Sequence, residues 1–315
     1  MRVAFFGTPR FAVPTLERLL ASRHAVVAVV TQPDRPSGRG QRLTEGPVKA
    51  VALARKVPVL QPDRLRTPEF LDRLGSMSLD LGVVAAYGKI LPEPLIGIPS
   101  HGVINVHASL LPRWRGAAPI ERAVMAGDRE TGVTIMRIVR ELDAGPMFAA
   151  IPRAIAPDET AEDVERDLAV LGADLLLEVV DHIAEGRAQE TPQDAALVTY
   201  APRLTKEEGL IDWSQPALAI HNKVRGLHPW PHAYTFLGAD RYIVLRTWPE
   251  PDAATVFPPG TVLGATADRL TVATGAGALH VRQIQAEGRR PMDIRQFLAG
   301  HRLPAGARFE MRHLA

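Results

Sequence analysis

The sequence predicts an α/β protein with a mostly parallel sheet, followed by a second domain built as a small β-barrel. Three observations lead there. Short β-rich runs alternate with helical patterns over residues 2–138, a long helix closes that region, and the chain beyond residue 225 breaks into short β-like runs separated by turn residues.

The first strand, Arg2 to Gly7, is an apolar run stopped by Gly7-Thr8-Pro9. Further strands are expected at Ala25 to Thr31, Asp80 to Ala86, Gly102 to His107 and Gly132 to Ile138, with helices at Phe11 to Ser22, Pro47 to Lys56 and Ala117 to Ala126. Alternation of this kind favours right-handed βαβ units and a buried, mostly parallel sheet. Asp158-Glu159-Thr160 opens a helix running from about Ala161 to Glu185, which Gly186 would stop and which would cover one sheet face. Arg187 to Leu204, rich in Gln, Pro, Thr and Ala, lacks a sustained apolar period and reads as a linker. One helix near Ala217 to Arg225 then precedes β-like runs at Arg241 to Trp248, Gly260 to Leu263, Arg269 to Thr274 and Ala278 to Gln283, a spacing that suits a barrel. The expected domains are 1–187 and 206–315, joined by a linker at 188–205.

A chain of 315 residues with 46% hydrophobic residues is globular, and at about 150 residues per domain it holds two. The absence of cysteine excludes disulfides, thiolate nucleophiles, Cys-ligated zinc and iron–sulfur clusters, and fits a reducing cytoplasm. The apolar stretch in MRVAFFGTPR is too short for a signal peptide, and no run approaches the roughly 20 residues needed to cross a bilayer. No membrane partner is expected. Charge is unevenly distributed: residues 1–205 carry 24 Lys and Arg against 25 Asp and Glu, residues 206–315 carry 13 against 10. Seven of those 13 are arginines between Arg282 and Arg312, opposed there by Glu287, Asp293 and Glu310. A basic second domain could serve a phosphate backbone or be an ordinary solvated surface.

Familiar signatures are missing. Gly275-Ala276-Gly277 has neither a third glycine nor a following helix, and no GxxxxGK[ST], HExxH or GxSxG occurs, so hydride transfer, kinase and serine-hydrolase chemistry lose their support. His101 and His107 share strand parity but lack a third ligand at a useful spacing, so no metal site is expected. What remains is Gly102 to Gly116. Asn105 and His107 are two apart on a strand, hence on one face near its carboxyl end, where open α/β sheets bind ligands. An Asn amide can donate to an oxygen gaining negative charge, and His can take or relay a proton. Asp143, just beyond the next strand and therefore placed at the same sheet edge, could orient His107. Together the three suit acyl transfer. Taken singly, they could equally satisfy local backbone groups or form an Asx-turn before Gly145.

Asn105-Val106-His107, the following Ser109-Leu110-Leu111-Pro112 and the later Asp143 resemble the 10-formyltetrahydrofolate-dependent formyltransferases. Arg113 to Ile120, Gln32 to Gly40, Gly132 to Met136, Leu204 to Glu208, Asp212-Trp213 and Pro229 to Pro231 narrow the resemblance to members whose acceptor is initiator methionyl-tRNA, and it covers almost the whole chain. The resemblance implies a Rossmann-like formyltransferase domain and a carboxy-terminal OB-like barrel. It implies Asn105, His107 and Asp143 as the catalytic group, and 10-formyltetrahydrofolate as the formyl donor. The folate would be lined by Ser109, Leu110, Leu111 and Pro112, with Tyr87, Lys89, Ile90 and Leu91 as a second wall. The long loop from Gln32 to Gly46, bearing Arg35, Arg39 and Arg42, would enter at the acceptor end of the tRNA, Arg42 foremost. Lys206, Lys223, Arg225 and the later arginines would attract phosphates. The sequence departs from many relatives at Ala108, where they often carry Gly, and at Gln41, where they often have Lys. A monomer is expected, in the cytoplasm.

Other functions stay open at this level. An amino-sugar-nucleotide N-formyltransferase would share the Asn, His and Asp group, a formyltetrahydrofolate hydrolase would use water in place of the amine, and a tRNA-binding protein would need no catalytic trio at all. Trp230 and Tyr234 could stack on bases, although an aromatic in a small barrel is more often core. His221, His228 and His232 receive no role.

Overall fold

A computed structural model describes residues 1–37, 42–266, 268–301, 303–304 and 306–311. The chain forms two compact units. The first comprises Met1–Pro119, Glu130–Ala154 and Glu165–Ala201, the second Ile120–Arg129, Ile155–Val164 and Pro202–Ala315.

In chain order the first part runs β1 (Arg2–Gly7), α1 (Val13–Leu20), β2 (Ala25–Val30), β3 (Arg35–Ser37), β4 (Arg42–Thr44), α2 (Pro47–Ala54), β5 (Val59–Leu60), α3 (Pro68–Gly75) and β6 (Leu81–Ala85). There follow α4 (Glu93–Ile96), β7 (Val103–His107), β8 (Arg115–Gly116), α5 (Pro119–Ala126), β9 (Glu130–Arg137), β10 (Met147–Ala154), α6 (Ala161–Ala184) and β11 (Tyr200–Ala201). Seven strands make the main sheet, in the order β10-β9-β7-β6-β1-β2-β5. From β7 to β5 every pairing is parallel, as the alternation predicts. These strands are apolar on both faces because helices cover both, and β6 is buried along its whole length. Phe6, Val30, Leu74, Leu95 and Val103 meet in the core on one side. On the other, Gly172 of α6 lies against Val106 of β7 and Val133 of β9, so α6 covers that face.

At the far edge the sheet turns antiparallel, with β9 antiparallel to β7 and β10 antiparallel to β9. Neither β10 nor the reversal follows from the alternation of strands and helices in the sequence. The nine residues between β9 and β10, 138–146, hold no helix, and a parallel crossover needs a dozen residues or more. The loop at 32–46 contains the hairpin β3–β4, whose three-residue strands are too short to leave a pattern.

The second unit adds α7 (Ala217–Gly226), β12 (Ala233–Leu237), β13 (Asp240–Glu250), β14 (Val262–Thr266), β15 (Arg269–Ala273), β16 (Ala278–Ala286), β17 (Met292–Asp293) and α8 (Ile294–Gly300). Its antiparallel sheet runs β12-β13-β16-β15-β14, with β17 on β16. The two edges are joined by the segment at 307–310. Phe236 of β12 exchanges backbone hydrogen bonds with Glu310, and Val262 of β14 donates to the Ala307 carbonyl at 2.8 Å. That closes the sheet into the expected small barrel. Inside, Trp213 stacks on Phe309 at 5.7 Å while its indole N–H donates to Thr235 Oγ1 at 2.9 Å, among Val244, Leu270, Ile284 and Phe297. Arg225 explains why 120–129 and 155–164 cluster with this unit. It is buried, and its guanidinium donates to the carbonyls of Val124, Ala156 and Glu159 and to Asn222 Oδ1.

Candidate active site

Asn105 and His107 project from one face of β7, as strand parity requires, and β7 ends at His107. The two side chains differ in surroundings. The Asn105 amide, half-buried, makes no hydrogen bond among the described residues. The His107 ring is buried, and its Nε2 lies 3.0 Å from the Trp114 carbonyl oxygen. A carbonyl can only accept, so Nε2 carries the proton in that bond. The other nitrogen, Nδ1, faces Asp143 Oδ2 at 3.8 Å. That gap is too long for a direct hydrogen bond.

Asp143 arrives by a route the sequence did not foresee. Because β9 is antiparallel to β7, its carboxyl end lies beside Val103, at the opposite edge from His107: Arg137 pairs with Ile104, and Ile138 donates to the Val103 carbonyl. The expectation that Asp143 leaves the strand at the ligand-binding edge is therefore corrected. The connection at 138–146 doubles back and delivers the carboxylate, with Asp143 itself at φ +46°. There Oδ2 accepts from the Gly116 backbone N–H at 2.8 Å, which fixes it beside the imidazole. His107 and Asp143 therefore face each other, and Asn105 lies two residues before His107 on the same face of β7.

The loop from Ala108 to Gly116 wraps this group, held from within. Ser109 is fully buried and its hydroxyl donates to the Arg113 carbonyl at 2.7 Å, so it braces the loop. Thr134 of β9 donates to the Ser109 carbonyl and accepts from the Leu111 N–H. The Leu111-Pro112 peptide is cis, and Trp114 has φ +62°. Leu111 is buried, while Leu110 and Pro112 keep part of their surface. Of the second wall, Tyr87 and Leu91 belong to the core, Ile90 is exposed, and the Lys89 ammonium donates to the carbonyls of Pro62 and Asp63. The Tyr87 phenol is buried without a partner among the described residues, and burial pushes its pKa up to about 12. Two contributors left no recognisable signal. Thr199 Oγ1 accepts from the Trp114 N–H, and Gln193 donates to the Asp143 carbonyl, both from a segment that reads as linker.

Arg35 and Arg42 lie on the backbone of β3 and β4, and Arg39 lies outside the described residues. The base of their loop is tied down. Asp34 pairs with Lys49 at 2.5 Å and accepts from Gln61, and the Lys49 contact holds the Asp34 carboxyl below its ordinary range. Lys206 is exposed, as are Arg282, Arg289, Arg290, Arg295 and Arg308. Lys223 and Arg225 are corrected: the first donates to the Leu210 carbonyl at 2.6 Å, the second is buried on carbonyls, and neither is presented to a phosphate. Tyr234 is core as expected, whereas Trp230 is half exposed. Among the described residues no group of three or more His, Cys, Asp or Glu is arranged to hold a metal ion, and no helix is long and apolar enough to cross a membrane.

Comparison with known proteins agrees with this architecture. The formyl transferase family profile matches residues 1–180, and that of the formyl transferase carboxy-terminal domain matches residues 203–302. The methionyl-tRNA formyltransferase of Methylococcus capsulatus is 48% identical over 314 residues, covering 98% of this chain and 99% of that one. Among solved structures, the sugar 3N-formyl transferase WlaRD, crystallised in the presence of dTDP and 5-N-formyl-THF, superposes with TM-score 0.67 at 15% identity, over 92% of this chain and 99% of that one. HypX from Aquifex aeolicus in complex with tetrahydrofolic acid gives TM-score 0.61 at 17% identity over 95% of this chain. The chain spans about half of HypX, 47% of its length. At such identities the two structures speak to the fold alone.

Proposed function

The chain belongs to the formyl transferase family, and from that premise we propose that it transfers the formyl group of 10-formyltetrahydrofolate to the α-amine of methionine on initiator tRNA. The observation that carries the chemistry is the Asn105 amide, unpartnered among the described residues, beside a buried His107 whose Nδ1 faces Asp143. The near full-length likeness to methionyl-tRNA formyltransferases selects the acceptor. The trio argues against a protein that only binds tRNA, since binding needs no such group.

In the reaction the amine lone pair forms the new C–N bond while the carbonyl π pair moves onto oxygen. Asn105 donates to that oxygen. Because the Nε2 proton of His107 is committed to Trp114, the ring acts on its Nδ1 side, where with Asp143 it takes the proton released by the amine. A shift of roughly an ångström closes the 3.8 Å gap to hydrogen-bonding range. Collapse of the intermediate breaks the bond to the folate nitrogen, which leaves with that proton. The donor brings an activated formyl group, so these residues need only position and polarise.

The folate would lie along residues 109–112 and 87–91. The partly buried Leu110 and Pro112 and the exposed Ile90 would supply apolar surface, and the backbone would supply polar contacts around the buried Ser109, Leu111, Tyr87 and Leu91 and the tied Lys89. Residues 1–187 would carry catalysis. Residues 206–315, with Lys206 and the exposed arginines, would hold the tRNA as phosphate contacts, while Arg35, Arg39 and Arg42 would meet its acceptor end. A cytoplasmic monomer fits this role.

The test incubates the protein with 10-formyltetrahydrofolate and, in parallel, charged initiator tRNA, charged elongator methionyl-tRNA, free methionine and an amino-sugar nucleotide. Formylmethionine confined to initiator tRNA is expected. Formate without any formylated acceptor would instead indicate a hydrolase, and formylation of the sugar alone would overturn the tRNA assignment.

A further inference from the structure

Residues 191–201 look like a featureless linker, yet they touch both loops that build the site. Thr191 exchanges backbone hydrogen bonds with Met147, where the loop bearing Asp143 enters β10. Gln193 Nε2 donates to the carbonyls of Asp143 and Gly145, each at 2.8 Å. Gln193 Oε1 accepts from Nε and Nη2 of Arg115 at 3.0 and 2.7 Å. The orientation of this amide is forced by its partners, since a guanidinium only donates and carbonyls only accept. Thr199 secures the other loop, its hydroxyl accepting from the Trp114 N–H and its carbonyl from the Arg115 N–H, both at 2.9 Å. Trp114 is the residue whose carbonyl holds His107, and Gly116 is the residue whose amide holds Asp143.

We propose that residues 191–201 form a strap that sets the distance between His107 and Asp143, with Gln193 as the positioning residue for Asp143. The side chain of Gln193 spans the two loops at one point: a donor pair grips the turn that aims the carboxylate, and an acceptor ties that turn to the strand carrying Gly116. Without it, the loop at 138–146 keeps its ends in β9 and β10 but loses the brace at its tip. The carboxylate then samples positions away from Nδ1, and a misplacement of about an ångström at a reacting group is enough to slow catalysis by orders of magnitude.

The kinetic part of the test rests on the formyl-transfer reading; the exchange part does not. Two variants separate the two halves of the amide: Gln193→Met removes both, and Gln193→Glu keeps the acceptor for Arg115 but removes the donors to Asp143 and Gly145. Each is expected to lower kcat about 10- to 100-fold while leaving KM for folate and for initiator tRNA within about twofold. In an Asp143→Ala background, Gln193→Met is expected to add no further loss, because it acts through Asp143. Independently of turnover, backbone hydrogen exchange in the peptide covering 139–146 is expected to quicken about tenfold in both variants, with the central strands unchanged. A kcat within twofold of the parent, a Gln193→Glu variant that behaves like the parent, full additivity with Asp143→Ala, or unchanged exchange at 139–146 would each overturn the proposal. Absence of formyl transfer by the parent protein would overturn the functional reading instead, and hydrogen exchange alone would then decide the strap. Should Gln193→Met fail to fold, Gln193→Glu carries the same comparison.

Discussion

Asn105 and His107 sit two residues apart on one strand and carry different loads. Among the described residues the Asn105 amide has no hydrogen-bond partner, and in the proposed mechanism its replacement by Ala removes a donor to the developing oxyanion. Such a loss costs about 10²- to 10³-fold in turnover. His107→Ala is expected to fall in the same range, each with KM for tRNA nearly unchanged in steady-state assays, and near-normal turnover in either would contradict the assignment. A second residue-scale prediction concerns stability. Burial raises the Glu121 carboxyl above its ordinary 4.5. The folded state therefore holds that proton more tightly than the unfolded one. Its contribution is fully present below about pH 4.5, and is lost as pH rises through the raised value. Glu121→Gln should thus match the parent in Tm near pH 4 and exceed it near pH 8. An advantage that shrinks with rising pH would refute this.

At the scale of elements, much of the site was legible because a strand's parity is local. Asn105 and His107 needed only the pattern of β7 to be placed on one face, and the parallel strands announce themselves as apolar runs between helices. What was not legible depends on partners far along the chain. The orientation of β9 is set by its pairing with β7 and β10, so Asp143 comes to face His107 by a connection that strand order alone does not give. β10 is an edge strand that contains Pro152, and a proline inside a run argues against a strand. Gln193 and Thr199 contact backbone atoms of other loops, and Gln193 also the Arg115 guanidinium, and no local pattern encodes that. The pairing of β8 with β11 offers a direct check on this level. Gly116 has φ +126°, and a Cβ there would lie 2.6 Å from the Ala201 carbonyl oxygen. Gly116→Ala should therefore push β8 from β11 and shift the amide that holds Asp143. The expected cost is about 1–3 kcal/mol in urea unfolding, together with a fall in kcat larger than any rise in KM. A variant as stable and active as the parent would show that this pairing does not set the site.

For the molecule as a whole, charge and chemistry are divided along the chain. The side chains proposed to be catalytic lie in the first unit, while residues 206–315 hold the basic excess, with five of their later arginines exposed among the described residues. That division was visible in the sequence. Which basic residues are available was not, since Arg225 looks like its neighbours until its buried carbonyl partners are known. Phosphate contacts release counterions, so KM for initiator tRNA should rise about tenfold or more as salt is raised from about 50 to 200 mM, while KM for the folate stays nearly flat. Equal salt dependence of the two would remove the phosphate-binding role from the second domain. One site, built on Asn105, His107 and Asp143, is proposed to formylate initiator methionyl-tRNA. Its most direct test is a single-turnover measurement with saturating protein, 10-formyltetrahydrofolate and charged initiator tRNA, comparing the parent with Asn105→Ala. Rapid formylmethionine formation by the parent is expected, with a rate about 10²- to 10³-fold lower in the variant at unchanged tRNA binding. Equal rates in the two proteins, or no formylmethionine from the parent, would contradict it.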